Sequence, residues 1–381
     1  MLKAQVRRKF SIQHAVLFPY ARSAFHSILK ALDLPKGSEI LLTPITIGPM
    51  LEVILTLGHK PVFVDIELRT FGADLADLKS KLKNRPPCFL LTYLFGYIPD
   101  IEAIRALCDE VGTYLIEDIS HNIGGQVNGK PLGSYGVAGI YSASLLKYVD
   151  GYNGAFAITN DSQVKERLEI DAENFTNPSP RRITKIIRTT LMWNFALRRL
   201  PFNFLVFPLL WIIKKTCPKK FEQILGPKIA LEMPEKIPKY YFEDITSTQC
   251  KMIAKHLAKL DGLLSGRIAA ANRAARVYKE VFGESVTFPN QNTYWQFIVP
   301  VKDLPAARNA LFRKGVETGA TNLMNLTDVS GVTLIGAKSL KENHIFIPIH
   351  KWISDQKYRK IFEIIFQEKV HFLKKESLKS F

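Results

Sequence analysis

A chain of 381 residues with 47% hydrophobic residues, 22 glycines and 21 prolines has the composition of a folded globular protein, which excludes a disordered or fibrous one. Its length suggests two domains, or one large and one small. A formal charge of +17 calls for an anionic partner or surface.

The four cysteines, Cys88, Cys108, Cys217 and Cys250, lie far apart and form no CxxC pair. With no signal peptide at the N-terminus, they point to a reducing cytoplasm and argue against a structural zinc site. No metal site is expected.

Residues 7–19 lead into Ala21-Arg22-Ser23-Ala24 and then a helix, FHSILKALDL. Ser23 stands at the helix entry, where it can serve as a cap, and the free amides there favour an anion such as phosphate. ILLTPI (40–45) has a buried-strand pattern, followed by a helix over roughly 48–57. KPVFVDI is another short apolar run, residues 75–83 read as helical, and CFLLTYLF (88–95) is a further strand. IEAIRALCDEVG is an amphipathic helix with Ile101, Ile104, Ala106 and Leu107 on its apolar positions. Strands alternating with helices predict an α/β domain with a largely parallel sheet covered on both faces. Ligands of such sheets collect at strand ends.

Residues 113–159 read as three strands joined by polar and glycine-rich loops. Asp118 ends the first strand, TYLIED, and Lys147 follows the second. An acid closing a strand of Tyr, Leu and Ile suits either a loop cap or a cationic partner. Lys147 alone is a loop charge or a reactive amine.

Glu117-Asp118-Ile119-Ser120-His121, then Gly133-Ser134, then Tyr141-Ser142 with Lys147 five residues beyond the serine, form an ordered set. Upstream stand ARSAFHSILKAL, EILLTPITI, GHKPVFVDI and TYLFGYIPDIEAI. Together these blocks resemble the DegT/DnrJ/EryC1/StrS family of aminotransferases dependent on pyridoxal phosphate (PLP). The resemblance runs over about residues 15–165 and resumes near 245. It implies the fold type I architecture of PLP-dependent transferases: a mixed, mostly parallel sheet with helices on both faces, plus a small C-terminal α/β domain. It also implies a homodimer that moves an amino group from a glutamate-like donor to a keto group on a sugar; the insertion described below suggests that this acceptor is presented at a membrane, as a lipid-linked or nucleotide-activated precursor.

By the same resemblance Lys147 takes the Schiff-base role and Asp118 faces the pyridine nitrogen. His121 would lie near the cofactor ring and its phenolic oxygen. Ser142 and Ser23, with the amides around Ser23 and Ala24, would hold the phosphate. Three positions depart from the family pattern. Ile47 stands where an aromatic residue usually stacks on the cofactor. Asn153-Gly154-Ala155 replaces E-G-G. Phe242 and Asp244 stand where an Asn and an Arg are expected, and that Asn reaches the partner subunit's phosphate in the family.

Residues 176–240 form an insertion that the family pattern does not require, dividing the chain into a large domain (1–175), this segment, and a C-terminal part (241–381). From Asn174 to Phe221 there is no acidic residue and there are ten basic ones: Arg181, Arg182, Lys185, Arg188, Arg198, Arg199, Lys214, Lys215, Lys219 and Lys220. Around Ile183, Ile186, Ile187 and Leu191 the spacing is helical. LPFNFLVFPLLWII (200–213) is too short to span a bilayer, but with Trp193 and Trp211 beside basic residues it suits a headgroup boundary. The segment 181–220 is therefore read as an anionic-membrane surface on the inner face of the membrane, or else as packing on the enzyme's own core or a dimer contact. No nucleic-acid motif accompanies the charge, and no nucleic-acid partner is expected.

From Gln249 to Ala275 the apolar spacing predicts one long amphipathic helix. TYWQFIVPV (293–301), a helix over about 304–314, HIFIPI (344–349) and a last helix capped by Ser354 complete the small domain. Two rivals accompany the aminotransferase. One is a PLP-dependent dehydratase, against which Lys147 argues, since such relatives carry histidine there. The other is a peripheral membrane scaffold in glycan or lipid assembly that keeps the fold without turnover, suggested by Ile47, Phe242 and Asp244.

Overall fold

The computed structural model describes residues 1–225, 237–284, 292–319, 321, 323–327 and 331–377. Seven strands build the main sheet: β1 (His14–Phe18), β2 (Glu39–Leu42), β3 (Lys60–Phe63), β4 (Cys88–Thr92), β5 (Tyr114–Asp118), β6 (Ala138–Ser142) and β7 (Ala155–Thr159). Their spatial order is β1-β7-β6-β5-β4-β2-β3. β7 runs antiparallel to both of its neighbours, and the remaining pairs are parallel. β4 and β7 are buried at every residue. Strands covered on both faces read as unbroken apolar runs, as CFLLT and AFAIT do.

Alternation along β4 sorts the two faces. Phe89 and Leu91 pack with Leu2, Val6 and Phe10 of α1 (Leu2–Phe10), Leu78 of α4 (Leu75–Leu82) and Ile104 of α5 (Ile101–Val111). Leu90 points the other way, onto Phe25 and Ile28 of α2 (Ala21–Ala31), Val53 of α3 (Gly48–Thr56) and Leu168 of α6 (Ser162–Glu173). The α/β reading is borne out, with β7 as the reversed strand. A short hairpin pairing Gln126–Val127 with Lys130–Pro131, between β5 and β6, was not expected.

The insertion continues from α6 as α7 (Pro180–Ala196), a π-helical turn at Phe202–Val206, α8 (Phe207–Thr216) and α9 (Pro218–Leu225). One side docks on the small domain, where Leu210 and Phe221 bury with Phe312 and Lys214 donates to Asn309 Oδ1 at 2.6 Å. The other side leaves Leu191, Met192, Phe195, Leu200, Phe204 and Trp211 exposed, Phe204 by 74%. Among the described residues no single helix is long and apolar enough to cross a membrane; 180–196 and 199–216 reach that length only together, bent by 72°.

The helix expected from Gln249 onward is two helices. α10 (Ser247–Leu257) starts on a capping box between Thr246 and Gln249, and α11 (Leu260–Phe282) follows after a break at Ala258–Lys259. The tight Lys259 N–H to His256 carbonyl bond (3.0 Å) closes α10, an interruption that apolar spacing cannot register. The small domain pairs β8 (Phe297–Pro300) with β9 (His344–Ile347), antiparallel. Against them pack α12 (Leu304–Arg313), α13 (Ile335–Glu342) and α14 (Asp355–Ser377). Ser354 caps α14 as expected, its Oγ accepting from Lys357 N at 3.3 Å.

Candidate active site

Strand register sets two neighbouring rows of residues at the carboxyl edge of the sheet. Thr92 pairs with Asp118, Asp118 with Ile140, Ser142 with Ala155, and Ala155 with Phe18, the last residue before the turn into α2. The ends of β4, β5 and β6 therefore open at the same edge as the start of α2. After β6 the chain makes a closed loop. Ala143 N–H donates to the Gly154 carbonyl and Gly151 N–H to the Ala143 carbonyl, both at 2.8 Å. The buried Tyr141 hydroxyl accepts from Val149 N–H at 2.9 Å and donates to the Val149 carbonyl at 3.2 Å. Lys147 stands in this loop, just after Leu146, which has a left-handed φ of 70°.

Asp118 is buried and accepts from Ser120 N–H at 2.9 Å. Burial raises its pKa, opposed by the Ser120 bonds and the Lys147 charge. Lys147 answers in the opposite sense: burial lowers its amine to about 8, with the Asp118 charge opposing. The two groups face each other electrostatically across the β5–β6 edge. A lysine whose amine is lowered by burial and coupled to the charge of a buried carboxylate is the combination expected of a reactive site.

His121 is buried, and burial followed by the Lys147 charge holds its pKa well below the usual imidazole range. Its Nδ1 lies 3.4 Å from Phe95 N–H, which donates to it. One face of the ring stacks on Trp295, with centroids 4.0 Å apart and planes 13° apart; Phe95 stacks at 5.8 Å. Lys147 Nζ lies 5.0 Å from the centre of the same Trp295 ring, and Trp295 Nε1 donates to the Leu146 carbonyl at 3.2 Å.

Beside Asp118, Glu117 is fully buried, and burial raises its pKa against four opposing hydrogen bonds. It accepts from the Tyr93 hydroxyl (2.7 Å) and from the amides of Gly133 (2.7 Å), Tyr135 (2.6 Å) and Gly136 (2.7 Å). This carboxylate ties the Gly133–Gly136 turn to β5, which fixes the strand end that carries Asp118.

The serines are arranged differently from one another. Ser142 N–H donates to Ser120 Oγ and its hydroxyl to Ser144 Oγ, both at 3.1 Å, at the Asp118 edge. Ser23 is not the cap of α2: Tyr20 is, and its carbonyl accepts from the amides of Ser23 and Ala24 at 3.1 Å. The buried Ser23 hydroxyl donates instead to the Tyr241 carbonyl. Tyr241 in turn reaches Glu52 Oε2 at 3.1 Å, and the Arg22 guanidinium lies over the Tyr20 and Tyr241 rings at 4.3 and 4.1 Å. Phe242 packs edge-on against His26 at 4.8 Å, and Asp244 N–H donates to the Thr176 carbonyl at 2.7 Å. Both serve contacts within the chain. Ile47 is the half-exposed N-cap of α3.

Sequence reasoning missed Trp295 and Arg267. Arg267 donates to the carbonyls of Tyr294 (3.1 Å) and Trp295 (2.7 Å), and lies 5.4 Å from the Tyr148 ring. Gly96, with φ 86°, admits this loop: a Cβ there would clash with the amides of Trp295 and Tyr294. Within TYWQFIVPV only Phe297–Pro300 is a strand; the tryptophan before it was the available sign.

The donor set suits PLP. Asp118 is a buried acceptor at a strand end, Lys147 an amine near neutrality beside it, and Ser142 a hydroxyl on the same edge. Three positions are taken up from within the chain: Trp295 covers a face of His121, Tyr241 engages the Ser23 hydroxyl, and the Tyr20 carbonyl takes the amides of Ser23 and Ala24 that were expected to hold the phosphate.

Residues 2–182 match the family described as the DegT/DnrJ/EryC1/StrS aminotransferase family, which bears out the resemblance read from the motifs. The chain is 29% identical over 156 residues to a GDP-perosamine synthase of Vibrio cholerae, covering 41% of this chain and 42% of that one. It is 31% identical over 170 residues to a pleiotropic regulatory protein of Geobacillus stearothermophilus, covering 44% and 46%. The match thus spans less than half the length of either relative. An aminotransferase structure from Psychrobacter cryohalolentis superposes with a TM-score of 0.72 at 17% identity, over 96% of this chain and 89% of that one. An E. coli GDP-4-keto-6-deoxy-D-mannose-3-dehydratase with bound hydrated PLP gives 0.69 at 17%, over 96% and 90%. The fold is type I.

Proposed function

We propose, from a large domain that matches the DegT/DnrJ/EryC1/StrS aminotransferases over residues 2–182, that this chain is a PLP-dependent aminotransferase. It takes an amino group from a glutamate-like donor to a keto group on an activated sugar. The observation that carries the reading is the Asp118–Lys147 pair: a buried acid at the end of β5 and, in the loop after the adjacent strand β6, a lysine whose charge couples to it.

PLP, when bound, supplies an aldehyde for an amine and a ring that accepts electrons. Asp118 would hold the proton on the ring nitrogen. Lys147 would carry the covalent link and, once released by a donor amine, move the proton at the substrate carbon. His121, neutral by burial, is a hydrogen-bonding and stacking surface rather than a charge. Ser142 would bind the phosphate; the amides of Ser23 and Ala24 are spent on the Tyr20 carbonyl, and engaging the Ser23 hydroxyl means parting it from the Tyr241 carbonyl. The working form is a cytoplasmic homodimer lying on the inner membrane face.

The exposed apolar side of the insertion supports the membrane part. The segment from Asn174 to Phe221 carries ten cations and no acid; Arg182 pairs with Glu243 and Lys214 faces the small domain, and each of the others that reaches anionic lipid contributes about 1 kcal/mol. The acceptor is then a lipid-linked or nucleotide-linked glycan precursor. To test turnover, the purified protein with PLP and 15N-glutamate is incubated with keto-sugar acceptors, and the acceptor mass is followed. Gain of labelled nitrogen that depends on Lys147 supports the reading; none with any keto-sugar counts against it. The scaffold reading stays in view because Trp295 covers His121 and Tyr241 occupies the Ser23 hydroxyl.

A further inference from the structure

Between the insertion and the small domain lies a cleft of about 870 Å³, within the usual size of a small-molecule site. Phe202 of the insertion, Val316 after α12, and Ile361 and Ile364 of α14 give it apolar walls. Arg199, Lys314, Lys357 and Lys360 stand on it, against Glu317 and Glu363. Among the described residues none of these four cations makes an ion pair. Burial raises the pKa of Glu317, opposed by the charge of Arg308.

The cleft touches two different regions. At the insertion end, Leu197 and Phe202 adjoin the exposed Leu200, Phe204 and Leu205. Its other wall includes His350, stacked on Trp352 at 3.5 Å. The charge of Arg267 bears on His350, and the same guanidinium holds the carbonyl of Trp295, whose ring covers His121 beside Lys147. A cation-rimmed, apolar-walled cleft joining a bilayer-seeking surface to the edge of a reactive site suits one kind of ligand: an amphiphile with an anionic head.

We propose that the cleft binds a long-chain phosphate, the lipid-phosphate portion of the acceptor. The chain lies against Phe202, Val316 and Ile364, and the phosphate is held by Arg199, Lys357 and Lys360. Only the identification of this lipid as the acceptor rests on the aminotransferase reading.

The test uses the full-length, PLP-treated protein and octyl phosphate below its micelle-forming concentration, followed by calorimetry. Octyl phosphate should bind at least tenfold more tightly than inorganic phosphate or octyl glucoside. Lys357→Ala with Lys360→Ala, and separately Ile364→Asn, should each weaken it about tenfold while the lysine-bound cofactor absorbance is kept. Equal binding of inorganic phosphate, or wild-type affinity in both variants, overturns the proposal. Displacement by uridine diphosphate makes it a nucleotide site and overturns the lipid; equal binding of dihexanoyl phosphatidylglycerol makes the ligand bulk phospholipid and overturns the acceptor. Octyl phosphate binding without a cofactor band would leave the cleft standing and remove the aminotransferase reading.

Discussion

The rings of His121 and Trp295 lie face to face, 4.0 Å between centroids, and this contact joins the large sheet to the loop that opens the small domain. Two rings at that separation exclude a third from between them. The Trp295 backbone is held by Arg267 (2.7 Å) and its neighbour Gln296 by the Phe95 carbonyl (3.0 Å), so relief has to come from rotation of the indole. Rotation gives up the Leu146 bond and one stack, together about 2 kcal/mol. If the cofactor ring uses this face of His121, Trp295→Ala should bind PLP roughly tenfold or more tightly. With Trp193, Trp211 and Trp352 replaced by Phe, PLP should also shift the Trp295 emission. Unchanged affinity and emission would place the ring elsewhere.

Lys147 sets a pH dependence. Burial lowers its pKa to about 8, so the neutral amine populates as pH rises through that value rather than near the ordinary lysine range. The rate at which cofactor-free protein gains the lysine-bound absorbance should rise to a plateau above about pH 8. Asp118 opposes that lowering, so Asp118→Asn should move the midpoint further down. A midpoint near that of free lysine would contradict the burial of the amine.

Glu117 supports the site without touching it. Its four hydrogen-bond donors include three backbone amides, and Glu117→Gln turns an NH2 group toward donors that need an acceptor. We expect a loss of about 3 kcal/mol in urea unfolding, with the cofactor absorbance retained in the folded protein. A neutral effect would mean that the Gly133–Gly136 turn does not depend on this carboxylate.

Much of this was legible in the chain. Strands such as CFLLT alternating with helices announced a sheet covered on both faces, and the ordered Glu117–His121, Gly133-Ser134 and Ser142…Lys147 blocks marked the edge that the register brings together. Ser23 was misread because a cap depends on backbone angles, and the turn there is made by Tyr20. Trp295 lay hidden for a different reason: its contact with His121 spans the two domains and depends on Gly96 admitting a loop far away in sequence. The break at Ala258–Lys259 leaves the apolar spacing almost unchanged, so periodicity passes over it.

The insertion separates surface from core. The full-length protein should float with anionic vesicles at low salt and less at high salt, where the attraction of its cations is screened. Deleting 198–215 should abolish flotation. Equal flotation by the deletion would assign Leu200, Phe204 and Trp211 to another contact, a second copy of the chain included.

The central claim is that Lys147 carries the cofactor. The purified protein incubated with PLP should develop a visible absorbance, and borohydride should fix one cofactor mass on the peptide containing Lys147. Lys147→Ala should show neither. A wild-type protein with no band, or a variant that keeps it, would contradict the account.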